Sequence, residues 1–439
     1  MKTAALRKIK PLHLAAVIFF TVSGGPYGLE PLLTYAGEHG ALLLLVITPM
    51  LWDVPAIFTV LELNGMMPVT GGYYKWVKHA LGTRWGFFEG LWTWFYTFVD
   101  LAIYPVLFVQ YASFLLPDIA AYKLPICLLI IWSSAGINIT GIVPVGRISL
   151  VLSGLVLIPF IVLFGVFFWH HSGTYAFPSP SLKGLTYPSI GLSLYTIMWN
   201  CLGWDNVTTY AEEVENPVRS YLTSIAIAFV TVIAVYVLLI YVSQQSKINY
   251  EVLTKQGFPS LGQLLGGRWL GVLIAAAGMA STLGLYTANL LSVSRLPKAM
   301  ADDGLLPKVL STLHLRFNTP YISIIICSAV ISIMTLWSFG ELIIIDVTIY
   351  GAGLFLEYLS LIKLRIKEPD RHRPFKIPLG IPGLCVLAVL PVCVYVIALT
   401  GVFSSANEVV KPALFAVGVL LMAEVAWRLV IWRKPYLKD

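Results

Sequence analysis

Charge is what this sequence has least of. Asp, Glu, Lys and Arg together make up 12% of the 439 residues, while 58% are hydrophobic and the mean hydropathy is +0.82. So few charges cannot solvate the surface of a soluble protein of this length, which excludes that class. The five cysteines (Cys127, Cys201, Cys327, Cys385, Cys393) have no CxxC spacing and no neighbouring histidine pair. Neither a disulfide framework nor a metal motif is therefore expected, and all five thiols are expected to pack as small buried hydrophobes. P-loop, GxGxxG, HExxH and nucleophile-elbow patterns are missing, so no enzyme, cofactor or metal site is expected. Short alternating segments are missing too, which argues against a β-barrel. The start, MKTAALRKIK before an apolar run, has no small-residue cleavage site behind it and is expected to be retained.

What is present is a series of apolar runs of about 20 residues, the length that crosses a bilayer as helix. They predict an all-α polytopic membrane protein with about twelve transmembrane helices. The spans lie near residues 11–36, 40–63, 85–116, 124–141, 147–169, 188–213, 221–243, 269–296, 320–337, 341–363, 381–402 and 411–432. Residues 1–10 and 433–439 are the expected terminal segments. If both termini and the loops after even-numbered spans share one side, that side holds 23 of the 29 Lys and Arg. Basic excess marks the cytoplasmic face, so the expectation is a multi-pass protein of the cell membrane with both termini cytoplasmic. The net charge of +7 follows from this bias and is no sign of nucleic acid binding.

Two spans are badly built for helices. VSGGPYGLE (22–30) interrupts span 1, and Asn200-Cys201-Leu202-Gly203 interrupts span 6, with Asp205 just beyond. Taking 11–169 (spans 1–5) and 188–363 (spans 6–10) as two halves, each is interrupted in its first span, and spans 11 and 12 (381–432) follow. Matched interruptions point to an inverted-repeat transporter with its site at the midplane. A broken helix leaves backbone groups without partners, which membrane interiors tolerate only around a cavity or ligand. Gly24 and Gly25 permit the non-helical turn, and Pro26 suits the first turn of a restarting helix. The N–H groups around Tyr27 and Gly28 are then expected to face a carboxylate, and carbonyls near Trp199 and Asn200 an ammonium. Such a site suits a zwitterion or an organic cation.

VSGGPYGLE, PVTGGYYKWVKHALGTRWGFFEGLWTW, YPVLF, AEEVENPVR, AMADDGLLP and LRIKEPDRHRPFKIP together resemble the amino acid–polyamine–organocation transporter superfamily, most closely its polyamine and amino-acid uptake branch. The likeness covers spans 1 to 11. It implies a five-plus-five inverted repeat with broken helices 1 and 6 and two added C-terminal helices. It also implies secondary active transport by alternating access. Carried onto this chain, it puts Ser23, Gly24, Gly25, Tyr27, Trp199, Asn200, Gly203 and Asp205 at the substrate, with Tyr104 as a wall. Two positions depart from the branch: Asn289 stands where span 8 typically carries a glutamate, and Gln110 where an acid often follows YPVLF. Each buried ammonium needs a carboxylate or several acceptors. The loss of two acids favours an amino acid as substrate over a polyamine such as putrescine or spermidine. A receptor on the same scaffold would bind without flux.

The remaining intramembrane acids have two readings each. Asp205 neutralises a substrate amine or carries a proton, or it caps the second half of span 6. Glu62, which matches a family acid, is expected to gate or to snorkel. Glu30 is expected to gate or to cap the restarted helix. Asp53, Asp100 and Asp346 are functional candidates by their depth, or else they bond a neighbouring helix. Proton coupling or exchange is the expected energy source. Sodium, held by Ser281, Thr282 and Thr287 with span 1 carbonyls, is the other reading, since span 5 has no lysine to replace it. His170 and His171 are expected at the membrane interface.

Overall fold

The computed structural model describes residues 9–140, 142–170, 179–404 and 407–434. His171 and most of the two terminal segments lie outside the described residues. Helices make up the architecture, with one isolated bridge between Ile9 and Val214.

The first break is built by left-handed glycines. α1 (Pro11–Val22) ends at Ser23, and regular helix resumes only at α2 (Pro31–Leu51). Between them Gly24, Gly25 and Gly28 have φ of +59°, +110° and +92°, a region that residues with a Cβ avoid. The helix was expected to restart at Pro26. It restarts at Pro31, because the left-handed Gly28 cannot sit inside a helical turn, and Pro31 then takes the first helical position. α2 turns again at Gly37 (φ 62°), near where the expected spans 1 and 2 meet.

The chain continues through α3 (Asp53–Met66), the short α4 (Gly72–Leu81) and the 33-residue α5 (Thr83–Leu115). Next come α6 (Lys123–Ile139), α7 (Ile142–His170) and α8 (Tyr187–Trp199). α8 stops at Asn200, and a 3-10 helix at Asn206–Glu213 follows the second break. α9 (Pro217–Gln245), two short helices α10 (Tyr250–Gln256) and α11 (Phe258–Gly266), and α12 (Arg268–Val293) come after it. The remainder is α13 (Arg295–Asp302), α14 (Tyr321–Met334), α15 (Phe339–Lys367), α16 (Ile381–Phe403) and α17 (Asn407–Arg433).

Among the described residues nine segments are long and apolar enough to cross a membrane, and α1 and α14 are shorter apolar helices. Burial sorts the nine. The apolar windows of α5, α12 and α15 are 67%, 67% and 83% buried, against 28% for that of α7 and 22% for that of α17. α5, α12 and α15 are therefore the inner helices, and α5 packs extensively on both of the others. α2 packs on α8, and α1 on α9 and α7. The cysteine expectation holds for Cys127, Cys201 and Cys327 but not for Cys385 and Cys393, which are exposed on α16. An apolar run does not show which face of a peripheral helix meets its neighbours and which meets lipid.

Candidate substrate site

Several of the backbone groups released by the two breaks already have protein partners. The Gly28 N–H donates to Glu30 Oε2 at 2.7 Å, and Glu30 Oε1 accepts from the Tyr111 hydroxyl at 2.9 Å and from the Phe258 N–H at 3.4 Å. Glu30 thus holds the place that a substrate carboxylate was expected to take. The Gly25 N–H donates to Ser23 Oγ. At the second break the Asn200 carbonyl accepts from the Tyr236 hydroxyl at 2.8 Å, and the same hydroxyl lies 2.7 Å from Ser23 Oγ. Tyr236, on α9, ties the breaks together and was not singled out by the sequence; only its partners mark it. Gly28 is also a point of close approach, since a Cβ there would strike the Trp199 ring. Tyr27 turns away from the second break and donates to the Ile274 carbonyl of α12 at 3.0 Å.

A buried polar cluster lies instead between α5, α12 and α15. The Tyr104 hydroxyl is 2.7 Å from both Asp100 oxygens, and Asn289 Nδ2 donates to the Tyr104 oxygen at 3.1 Å and to Asp100 Oδ2 at 3.4 Å. Trp199 closes one wall, its ring 6.5 Å from that of Tyr104 and 5.6 Å from that of Phe339. Its indole N–H faces Asp100, and Asn289 Oδ1 has no hydrogen-bond partner among the described residues. Asp346, on α15, lies within electrostatic reach of Asp100, is fully buried, and has neither oxygen hydrogen-bonded among the described residues. On the far side of Phe339 a cavity of about 350 Å³ is lined by Tyr35, Tyr195, Thr196, Phe339 and Glu341 among others.

The charge balance of the interior is one-sided. Buried acids are Glu30, Asp53, Glu62, Glu89, Asp100, Asp205, Asp346 and Glu357, whereas the basic side chains found buried beside any of them among the described residues are Arg365 and Arg373, both at Glu62. Of these acids, only Glu62 is in an ion pair among the described residues, with Arg365 at 2.5 Å and Arg373 at 3.2 Å, and it accepts the Ile377 N–H as well. Glu62 is buried rather than snorkelling, and it fastens α3 to the end of α15 and the chain beyond.

Asp205 starts the 3-10 helix without capping it: its carboxylate accepts from the Tyr350 hydroxyl at 2.9 Å, and that hydroxyl accepts the Gly203 N–H at 3.3 Å. Asp53 accepts from the Trp204 indole at 3.1 Å. Ser281 donates to the Gly24 carbonyl of the first break, whereas Thr282 and Thr287 bond carbonyls of their own helix. Glu89 and Glu357 were passed over because each stands near the end of an apolar run. The signal that would have found them is their alignment, at helical spacing, with Asp100 and Asp346.

One charged cluster closes the α4 end of the molecule. Asp303 accepts from Lys75 at 2.8 Å, Lys78 at 2.7 Å and the Tyr74 hydroxyl at 2.6 Å. Burial pushes the Asp303 carboxyl up, but these three donors outweigh it and hold the group at about 2.

Comparison with known proteins decides the family. The profile described as amino acid permease matches residues 9–423 of this chain, nearly its whole length. The chain belongs to the amino acid permease family. It is thus a multi-pass membrane transporter of the amino acid–polyamine–organocation superfamily. This permease is 30% identical over 390 residues to the polyamine transporter RMV1 of Arabidopsis thaliana, covering 88% of its own chain and 79% of that protein. A probable polyamine transporter of the same plant is 34% identical over 395 residues, 88% of the permease and 80% of the relative. The polyamine transporter PUT1 of Oryza sativa subsp. japonica is 29% identical over 431 residues, 96% and 78% of the two chains.

Proposed function

We propose that this permease is a secondary transporter of linear polyamines, taking their ammonium groups at Asp100 and Asp346. The observation that carries the reading is the Asp100 carboxylate beside Asn289, with no basic side chain paired to it among the described residues. Asn289 had counted against a polyamine because the span 8 acid is missing there. In space that charge is supplied from α5, one helix over, and Asp346 adds a second from α15. The α-amino acid expectation has less support, since its carboxylate handle is filled by Glu30 and its ammonium handle by Tyr236. The names of the relatives agree with the amine reading.

An ionised carboxylate in a low-dielectric interior needs its charge cancelled, by an ammonium or by a proton. Exchange of one for the other at Asp100 and Asp346 couples amine movement to a proton gradient. The Tyr104 hydroxyl and the Asn289 amide orient Asp100, while the Trp199 face suits an alkyl-ammonium. For the scaffold, the breaks at Ser23–Glu30 and Asn200–Asp205 support twelve spans arranged as two inverted five-helix halves plus α16 and α17. The basic excess on the terminal side supports a cell membrane with both termini cytoplasmic.

The test is uptake of labelled putrescine into proteoliposomes by the wild type and by Asp100→Asn. The variant keeps the shape of the pocket and is expected to lose about 30-fold or more in affinity, the scale of removing one partner from a buried charged contact. Undiminished uptake by Asp100→Asn overturns the assignment.

A further inference from the structure

Seen along their axes, α5 and α15 repeat one pattern in opposite directions. Asp100 is followed four residues toward the α5 N-terminus by Tyr96, and eleven residues away by Glu89. Asp346 is followed four residues toward the α15 C-terminus by Tyr350, and eleven residues away by Glu357. Both intervals return to the same helix face. The two helices pack against each other, so the pattern stacks into layers: an acid pair, a tyrosine pair and a second acid pair. The tyrosine rings meet edge to face with centroids 5.1 Å apart. Glu89 packs against Gly353, where a Cβ would come within 3.0 Å of its carboxylate oxygen. Asp205 joins the lower layer, in electrostatic reach of both Glu89 and Glu357.

The lower layer lacks what its charge requires. Glu357 is fully buried and faces Asp205, and among the described residues neither of its oxygens has a partner beyond that neighbouring carboxyl. Glu89 is 1% exposed and has only Thr93 as a donor, on Oε1, leaving Oε2 without a partner. No buried base approaches either of them among the described residues. Hydroxyls from Tyr96 and Tyr350 already serve Asn206 and Asp205. A cation is the partner that fits these oxygens.

We infer that Glu89, Glu357 and Asp205 form a second ammonium station, below the first and separated from it by the Tyr96–Tyr350 pair. The inference rests on the amine reading of the Asp100 pocket. Eleven residues of helix put the two stations about 16 Å apart, a separation that an extended tetra-amine bridges and a di-amine does not. A long polyamine then engages both acid layers at once, with its middle against the tyrosine rings. A short one occupies a single layer at a time. Chain length thereby becomes a determinant of affinity.

The experiment measures affinities of the purified full-length permease for putrescine, spermidine and spermine by calorimetry, for the wild type, Glu357→Gln, Glu89→Gln and Asp100→Asn. In the wild type, affinity is expected to rise steeply from the di-amine to the tetra-amine. The advantage of spermine over putrescine is expected to shrink about tenfold in Glu357→Gln and in Glu89→Gln, because the loss of a charged contact is felt only by the ligand that reaches it. Asp100→Asn weakens all three ligands. Two glutamine variants are used so that misfolding of one, seen in its ligand-free melting temperature, leaves the other, and the wild-type series is informative by itself. A flat wild-type series, or equal losses at every chain length in the glutamine variants, overturns the second station. Equal losses accompanied by an altered pH dependence of uptake would assign the lower acids to protons instead. Failure of every amine to bind the wild type would overturn the amine reading itself, a separate result.

Discussion

The Tyr236 hydroxyl donates to the Asn200 carbonyl at 2.8 Å while standing 2.7 Å from Ser23 Oγ. One phenol from α9 thus satisfies a carbonyl released by the second break and anchors the serine that begins the first. Broken helices in a membrane interior need such partners, because a buried carbonyl without a donor is destabilising.

Tyr236→Phe removes the hydroxyl and keeps the ring. The expected cost is about 1–3 kcal/mol, the penalty for leaving one buried acceptor unpaired. It is read as a lower denaturation midpoint of the ligand-free protein in detergent. An unchanged midpoint would mean that the two breaks are held by packing alone.

Glu30 fills the N-terminal end of the restarted helix with the chain's own carboxylate. Glu30→Ala empties that place and frees the Gly28 and Phe258 N–H groups. The variant is expected to melt lower than wild type and to be partly restored by acetate or formate at tens of millimolar, whereas the wild type gains nothing from either anion. If the anions stabilise both proteins equally, the Gly28 N–H is not what they bind.

The Asp303 cluster makes a prediction about pH. Its carboxyl is held at about 2, below the ordinary carboxylate value, by Lys75, Lys78 and Tyr74 acting against burial. A depressed value means that the folded state binds the proton less tightly than the unfolded chain does. The stabilisation is therefore fully present above about pH 4 and fades as pH falls through about 2. Comparing the melting temperatures of wild type and Asp303→Asn, the difference is expected to be constant from pH 8 to pH 5. A difference that shrinks between pH 7 and pH 5 would show that the lysines do not hold Asp303 ionised. The same reasoning removes Asp303 as a source of any pH dependence of uptake near neutrality.

Much of the scaffold was legible because it follows from local chemistry. Apolar runs marked the long helices, nine of which among the described residues could cross a membrane, and SGGP and Asn200–Gly203 marked the breaks, since glycine and proline mark where helix cannot continue. The restart was misplaced by five residues because proline fits an N-terminal turn wherever it occurs. Nothing in the string shows that Gly28 takes a left-handed conformation and postpones the helix. Placement of charge was the least legible feature. Asn289 and Asp100 are 189 positions apart, and only the packing of α12 on α5 shows that an acid lost from one helix stands on the other. The same holds for Glu30, whose partners Tyr111 and Phe258 come from α5 and α11. Helix termini ask for ligands in the sequence, but only the fold shows that the protein has already supplied them.

The most direct test of the amine reading is thermal stabilisation of the purified permease against putrescine, spermidine, spermine and a panel of α-amino acids, at pH 5.5 and pH 7.5. A ligand that binds the folded state raises the melting temperature by mass action. The expected result is a dose-dependent rise with the amines, absent with the α-amino acids and abolished for putrescine in Asp100→Asn. A rise with α-amino acids alone would contradict the account, and would mean that substrate displaces Glu30 from Gly28 and Tyr236 from Asn200.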